Sequence, residues 1–128
     1  MRYLLSLWLA LFAFTAHAAS RCNESAVNSS AYLVAANGVR QLPEFRAWVK
    51  SHSFPAALGA VVDREAIVNG VCYWSVSVYA DRTERLEMWN VFYVRRPNNV
   101  SLVQDPTSGE PISITAWREK MRGSRAKK

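Results

Sequence analysis

Residues 72–80 read CYWSVSVYA. In this stretch the apolar side chains Trp74, Val76 and Val78 alternate with smaller or more polar neighbours. A period of two is that of a β-strand with one face turned towards a core. The pattern therefore predicts a half-buried strand over the whole stretch, with these three side chains in the core.

A second alternating stretch follows, so the two strands are expected to form an antiparallel hairpin. The predicted core set of this second strand is Leu86, Met88, Phe92 and Val94. Because both apolar sets face one core, parity requires a connection with an odd number of residues. We expect Val78 to lie opposite Leu86 or Met88, with a turn of Asp81-Arg82-Thr83 or a slightly longer loop.

Helical patterns flank the hairpin. Residues 31–36 predict one or two helical turns that end at Asn37-Gly38, a common C-terminal signal. A second helix is predicted over about Pro43 to Ser51, because proline suits a first turn and apolar residues recur at helical spacing. After the strands, Ser113 is expected to cap a last short helix that packs Trp117 against the core.

Two shorter strands are predicted at residues 58–62 and 100–104. Whether the first continues to residue 68 and uses Asn69-Gly70 as a tight hairpin turn stays open. The predicted fold class is α+β. It has one or two N-terminal helices packed on a four-stranded antiparallel meander, a short C-terminal helix and one disulfide.

The first residues have the features of a cleaved signal peptide, with Arg2, an apolar run and the small-x-small site Ala16-His17-Ala18. The apolar run is shorter than the roughly twenty residues that span a bilayer. We expect a periplasmic or secreted protein without a membrane span. The predicted division is 1–18 signal peptide, 19–117 single α+β domain and 118–128 basic C-terminal tail.

The chain contains two cysteines, Cys22 and Cys72. In an oxidising compartment an even pair favours a disulfide. Closing a loop of about fifty residues is worth on the order of 4 kcal/mol in the chain-entropy model. Two buried thiols or a metal-binding pair are the alternatives.

The formal net charge of +6 is concentrated at the C-terminus, where residues 118–128 hold six basic residues and one acidic residue. The rest of the predicted mature chain is balanced. A nucleic-acid-binding domain carries its basic residues on a structured face with aromatic residues among them. We therefore expect no nucleic-acid partner.

Candidate catalytic groups are sparse. His52 is the only histidine after the leader, and Cys72 lies in the predicted strand. Four acidic residues fall in predicted turns: Asp63, Asp81, Asp105 and Glu110. The sequence contains no Gly-rich phosphate loop and no cluster with metal-ligand spacing. We expect no enzyme, no metal and no cofactor, and keep a small hydrolase that uses His52 as a minor hypothesis.

The opposite face of the hairpin is unusually aromatic. The residues predicted on it are Tyr73, Tyr79, Trp89, Val91 and Tyr93. Tyrosine and tryptophan are enriched where proteins bind other proteins. Either the chain around Cys22 or the last helix covers this face, or the face binds a partner, and both interpretations stay open.

Two exposed turns and this face supply the candidate contact residues. The predicted partner-binding residues are Asp81, Arg82, Thr83, Glu84, Trp89, Tyr93, Arg95, Asp105, Ser108 and Glu110.

A family resemblance rests on the order of several segments: a leader, an early cysteine, LPEFRAW at 42–48, CYWSVSVY at 72–79 and the terminal Trp117. This order resembles small periplasmic inhibitor and immunity proteins, notably those that protect against type VI secretion amidases. The helix-then-meander order is also similar to cystatin-like and PepSY-like domains. The first resemblance implies a protein that binds and plugs the active cleft of a peptidoglycan-cleaving enzyme.

The leading hypothesis is thus a periplasmic protein that neutralises a peptidoglycan-cleaving effector, with a cell-wall amidase as its protein partner. The alternative is a non-catalytic envelope accessory domain that binds peptide, lipid or glycan. A closed pocket between helix and sheet, lined by Trp48 and Trp74, would favour the alternative. The oligomeric state stays open.

Overall fold

The structure is a computed structural model and describes residues 29–59 and 65–127. Within these ranges the chain is α+β, with three helices and a six-stranded antiparallel sheet. The elements in chain order are α1 Ser30–Arg40, α2 Pro43–Ser51, β1 Ala56–Leu58, β2 Glu65–Val68, β3 Val71–Asp81, β4 Leu86–Arg95, β5 Asn99–Gln104, β6 Pro111–Ser113 and α3 Ile114–Ala126. The prediction of a four-stranded meander was therefore wrong, because β2 and β6 add two short strands to it.

The long strand β3 organises the sheet. One of its edges pairs with both β1 and β2, whereas its other edge pairs with β4, which continues through β5 to β6. Leu58 of β1 lies opposite Val78, and Ile67 of β2 lies opposite Cys72. Two short strands fit along one edge because the eleven residues of β3 extend about 36 Å.

The turn between β2 and β3 contains only Asn69 and Gly70, since Val68 and Val71 are the last paired residues. Both turn residues have positive φ, 49° for Asn69 and 75° for Gly70. Two such residues in a row are typical of the type I′ turn that joins antiparallel strands. The structure thus resolves the question of Asn69-Gly70, which forms a tight hairpin turn.

A β-bulge divides the β3–β4 hairpin into two parts. Val78 lies opposite Asn90 but Tyr79 lies opposite Met88, so Trp89 is the extra residue in β4. The final pair is Asp81 with Leu86, which leaves a connection of four residues. The connection has an even number of residues, and the bulge adds one more to β4. Together they bring Phe92 and Val94 onto the same face as Val76 and Trp74, as a connection of odd length would have done.

The bulge corrects the predicted faces of β4. Phe92 and Val94 lie in the core as expected, opposite Val76 and Trp74. Leu86 and Met88 are instead 51% and 53% exposed, so their predicted place in the core was wrong. Because the extra residue Trp89 interrupts the alternation, the side chains of β4 before it lie on the opposite sheet face from the one predicted.

Helix α1 continues through Asn37-Gly38 to Arg40, so the predicted stop at these residues was wrong. Gly38 is buried, and a Cβ atom on it would collide with the backbone carbonyl oxygen of Asn98. The glycine is therefore required where α1 approaches the β4–β5 turn rather than at a helix end. Glycine serves both purposes, and the sequence does not distinguish them.

All three helices pack on one face of the sheet. Their buried side chains join those of β3, β4 and β5 in one core, with Val76, Phe92 and Val103 fully buried at its centre. Helix α2 has the predicted bounds. The Ser113 cap is confirmed, since its Oγ accepts a hydrogen bond from the amide of Ala116 at 3.1 Å.

Helix α3 is longer than the predicted short helix. It begins after Ser113, buries Trp117 and continues to Ala126. Most of the basic segment 118–128 is therefore helical. Among the described residues, no helix has both the length and the apolarity that a bilayer crossing demands.

The predicted signal peptide and Cys22 lie outside the described residues. Cys72 is the only cysteine within them and lies half-buried on β3. For this reason no disulfide joins two described residues, and the predicted Cys22–Cys72 pairing falls beyond the part of the chain that the structure describes.

Replacing Gly38 with alanine tests the close approach of α1 to the β4–β5 turn. We expect Gly38→Ala to lower the free energy of unfolding by about 1–3 kcal/mol, because the new methyl group meets backbone that cannot rotate away. Gly123→Ala is the matched control, since no atom lies within 4 Å of a Cβ there and α3 gains helix propensity. Urea unfolding measures both; equal stability of the two variants would contradict the prediction.

Candidate functional site

Three indole rings from three elements form the floor of a groove between α2 and α3. Trp48 of α2 stacks on Trp89 of β4, with ring centroids 4.5 Å apart and an interplanar angle of 8°. Trp89 meets Trp117 of α3 edge to face, with centroids 6.4 Å apart at 71°. These residues are distant in sequence, so the floor exists only in the folded chain.

The bulge in β4 positions the central ring. In regular alternation Trp89 would share a face with Val91 and Tyr93, as the sequence predicted. The extra residue instead turns Trp89 towards the helices, where its ring also lies 6.4 Å from Phe45 and 5.5 Å from Phe92. Aromatic contacts on several sides fix its rotamer, so the floor is rigid before any ligand arrives.

The groove has a volume of about 600 Å³, within the usual range of ligand sites. Above the tryptophans its walls are one face of α2 and one face of α3, because residues at helical spacing project to the same side. The wall residues are Pro43, Glu44, Ala47, Ser51, Arg118, Met121, Arg122 and Arg125.

One ion pair bridges the two walls. Arg118 Nε lies 2.5 Å from Glu44 Oε1, and Arg118 Nη2 lies 3.2 Å from Oε2. Burial alone would raise the pKa of Glu44, but hydrogen bonds from Arg118 and the backbone, with the arginine charge, lower it on balance. The hydrogen bonds to Glu44 likewise raise the pKa of Arg118. Both groups are therefore charged at neutral pH, and the bridge fixes the spacing of the walls.

The other two arginines of the α3 wall are different. Arg122 and Arg125 are exposed, and neither forms an ion pair with a residue that the structure describes. Lys120, on another side of α3, binds Asp105 at 2.6 Å. The groove is thus apolar at its floor and positively charged along one rim.

Ser51 and His52, at the C-terminal end of α2, converge on one backbone carbonyl. Ser51 Oγ donates a hydrogen bond to Trp48 O at 2.8 Å, and His52 Nδ1 lies 2.7 Å from the same oxygen. This geometry requires the proton on Nδ1, so that nitrogen has no lone pair to accept the Ser51 proton, although the two atoms are 2.9 Å apart. The pair therefore caps a helix end and is not arranged as a nucleophile and its base.

The predicted contact turn at Asp81–Glu84 lies at the exposed end of the β3–β4 hairpin. Asp81 Oδ1 accepts the amide of Thr83 at 3.0 Å, and Thr83 has a φ of 65°. Arg82 pairs with Glu87 at 2.7 Å and stacks over the ring of Phe54 at 4.4 Å. Glu84 is exposed, so this turn presents a firmly held, charged tip.

The predicted contact turn at residues 105–110 is held from within. Asp105 is 4% exposed and accepts hydrogen bonds from Thr107 N at 3.2 Å, Ser108 Oγ at 3.1 Å and Lys120 Nζ at 2.6 Å. The Lys120 bond first, and then the Thr107 amide, lower the pKa of Asp105 against the opposing effect of burial. Asp105 thus ties the turn to α3, Ser108 holds the turn together through Asp105, and Glu110 remains exposed.

The remaining predicted contact residues lie away from the groove. Tyr93 is half-buried on the second sheet face, where burial and then the charge of Glu110 raise its pKa. Arg95 is exposed at the end of β4. Tyr79 and Val91 are only 8% and 9% exposed, so the centre of that face is closed. Helix α3 does not cover this face, because it packs on the opposite one, and the chain around Cys22 lies outside the described residues.

Sequence reasoning named only part of the groove. A closed pocket lined by Trp48 and Trp74 would have favoured ligand binding, but the ring centroid of Trp74 lies 5.6 Å from that of Tyr32 beneath α1, away from the groove. The α3 wall was missed, because the basic segment was interpreted as a tail. Its spacing contained the signal: Arg118, Met121, Arg122 and Arg125 recur at intervals of three and four residues, which continues the helix started at Ser113.

No family model, no curated protein and no solved structure matches the chain. A function for this chain is therefore inferred from the geometry and chemistry of its described residues.

The Asp105 network predicts a pH-dependent contribution to stability. The pKa of Asp105 is lower in the folded chain than the unfolded value of about 3.9, so the contribution is complete above about pH 5 and is lost progressively as the pH falls through the folded pKa. We expect Asp105→Asn to lower the melting temperature by several degrees at neutral pH and by less in acid. Exposed Glu119→Gln is the control, and a difference that is unchanged from neutral pH into strong acid would refute the prediction.

Proposed function

We propose that this chain is a ligand-binding domain that takes the apolar part of a small molecule into the groove between α2 and α3. The observation that carries the proposal is the packed floor of Trp48, Trp89 and Trp117. Binding here needs no catalytic group. Of the functions considered from the sequence, this geometry best supports an accessory domain that recognises a ligand.

The preorganised floor favours affinity. Stacked indoles lose little side-chain freedom when a ligand covers them, so little of the gain from apolar contact is offset by ordering. The Glu44–Arg118 bridge holds the walls at a fixed spacing in the same way. An open groove also admits a ligand without separating packed elements.

The proposed setting is the cell envelope. The leader at residues 1–18 supports export, and an exported domain of this kind meets lipids, glycans and peptides of the envelope. Export is tested by sequencing the N-terminus of the mature chain from periplasmic extract.

Filling the groove tests the proposal. Ala47 is exposed on α2 and lines the groove, so we expect Ala47→Phe to place a ring over the floor without disturbing the core. Binding of Nile red, an uncharged dye that becomes fluorescent in apolar sites, is expected to weaken by about tenfold or more. Fluorescence titration measures the affinity.

The matched control is Val49→Phe, which adds the same ring at an exposed position of α2 outside the groove. This variant is expected to bind the dye as the unaltered chain does. Failure of the unaltered chain to bind Nile red, or equal affinities for all three chains, would contradict the proposal.

A second candidate function rests on the exposed end of the β3–β4 hairpin. Leu86 and Met88 are about half exposed beside the charged Asp81–Glu84 turn, and apolar side chains next to a projecting turn suit insertion into an enzyme cleft. This supports the hypothesis of a protein that neutralises a cell-wall hydrolase.

Under this second proposal, the chain protects cells that make a periplasmic amidase, and Met88→Asp abolishes the protection. Ile67→Asp is the control, because Ile67 is also exposed but lies on β2. Survival of cells that produce both proteins measures the effect. No protection by the unaltered chain, or equal loss with both variants, would reject this candidate.

A further inference from the structure

We infer that the groove selects an apolar acid: a small amphiphile whose alkyl or aryl part covers the tryptophan floor and whose carboxylate binds Arg122 and Arg125. The inference rests on the proposed function and names its ligand class. It follows from the distribution of charge around the groove.

The charge of the walls is one-sided. The α3 wall contributes three arginines, Arg118, Arg122 and Arg125, whereas Glu44 is the only acidic residue among the described residues that line the groove. The excess positive charge lies on a single helix face rather than around the whole opening. A ligand with one anionic end complements this arrangement in a fixed orientation.

The single carboxylate of the groove is already neutralised. Both oxygens of Glu44 bind the guanidinium of Arg118, at 2.5 Å and 3.2 Å, in the paired geometry that arginine and carboxylate prefer. The lowered pKa of Glu44 keeps this pair charged and closed at neutral pH. Glu44 therefore leaves no acidic group to attract a cationic ligand.

Arg122 and Arg125 are the groups left to bind an anion. They are three residues apart on α3, so their side chains lie on the same helix face above Met121 and Trp117. Neither has an acidic partner among residues 29–59 and 65–127, and both guanidinium groups offer several N–H donors. A carboxylate at this rim would form the ion pairs that the described chain itself does not supply.

The position of the arginines favours an amphiphile over a fully polar anion. Both arginines border the same groove as the indole floor, so an apolar group is buried when the anionic end meets the rim. Inorganic anions would gain only exposed ion pairs, which are worth little in water. The apolar contact supplies affinity, and the arginines supply orientation and selectivity.

The test uses three probes with the same ten-carbon chain: decanoate, decan-1-ol and decyltrimethylammonium. Each displaces Nile red from the full-length mature chain at concentrations below micelle formation. We expect decanoate to bind about tenfold more tightly than decan-1-ol and the cation to bind most weakly. Higher salt is expected to weaken only decanoate binding, which needs no variant to observe.

The double substitution Arg122→Gln and Arg125→Gln is expected to weaken decanoate binding about three- to tenfold and to leave decan-1-ol binding unchanged. Arg40→Gln with Arg95→Gln is the matched control, because it removes the same net charge from exposed sites outside the groove. An equal effect of both double substitutions would assign the attraction to overall charge and overturn the inference.

The outcomes separate the two claims. If Nile red binds in the groove but decanoate and decan-1-ol compete equally, the selection for acids is refuted while the groove remains a binding site. If Nile red does not bind the unaltered chain, the proposed function fails and this inference fails with it.

Discussion

The stack of Trp48 on Trp89 is the contact on which the groove depends, and it exists because β4 contains one residue more than the opposing stretch of β3. In a regular hairpin Trp89 would lie on the far side of the sheet from α2. The bulge turns this one ring towards the helices, and Trp117 of α3 then closes the floor at 71° to it. A local irregularity of the sheet thus determines how α2 and α3 share a surface.

The bulge also explains why the hairpin exposes Leu86 and Met88. Leaving Leu86 and Met88 about half exposed forgoes about 1.5–3 kcal/mol, and half-burying Trp89 gains about 2–3 kcal/mol. The two contributions are therefore similar in size. The arrangement therefore adds little to the stability of the fold, and both surfaces that it creates stay open to solvent.

Local signals were sufficient where one segment determines its own structure. The proline and apolar spacing of α2, the alternation of β3 and the Ser113 cap were all recognisable in the sequence. The sheet face on which Trp89 lies was not recognisable. Apolar and polar residues alternate with the same period before and after a bulge, and the extra residue is identified only by its pairing with β3. Gly38 shows the same limit, since its role depends on Asn98, sixty residues away.

The net charge of the basic segment does not reveal that part of it forms a wall of the groove. As a charge total, residues 118–128 resemble a solvated end, and the predicted contact residues lay in two turns and on the second sheet face instead. In α3, these residues lie on different sides of the helix. Lys120 binds Asp105 and holds the β5–β6 turn against α3. Arg118, Arg122 and Arg125 line the groove. One helix face therefore holds the β5–β6 turn, and another forms a wall of the groove. Periodicity, rather than net charge, separates the two roles.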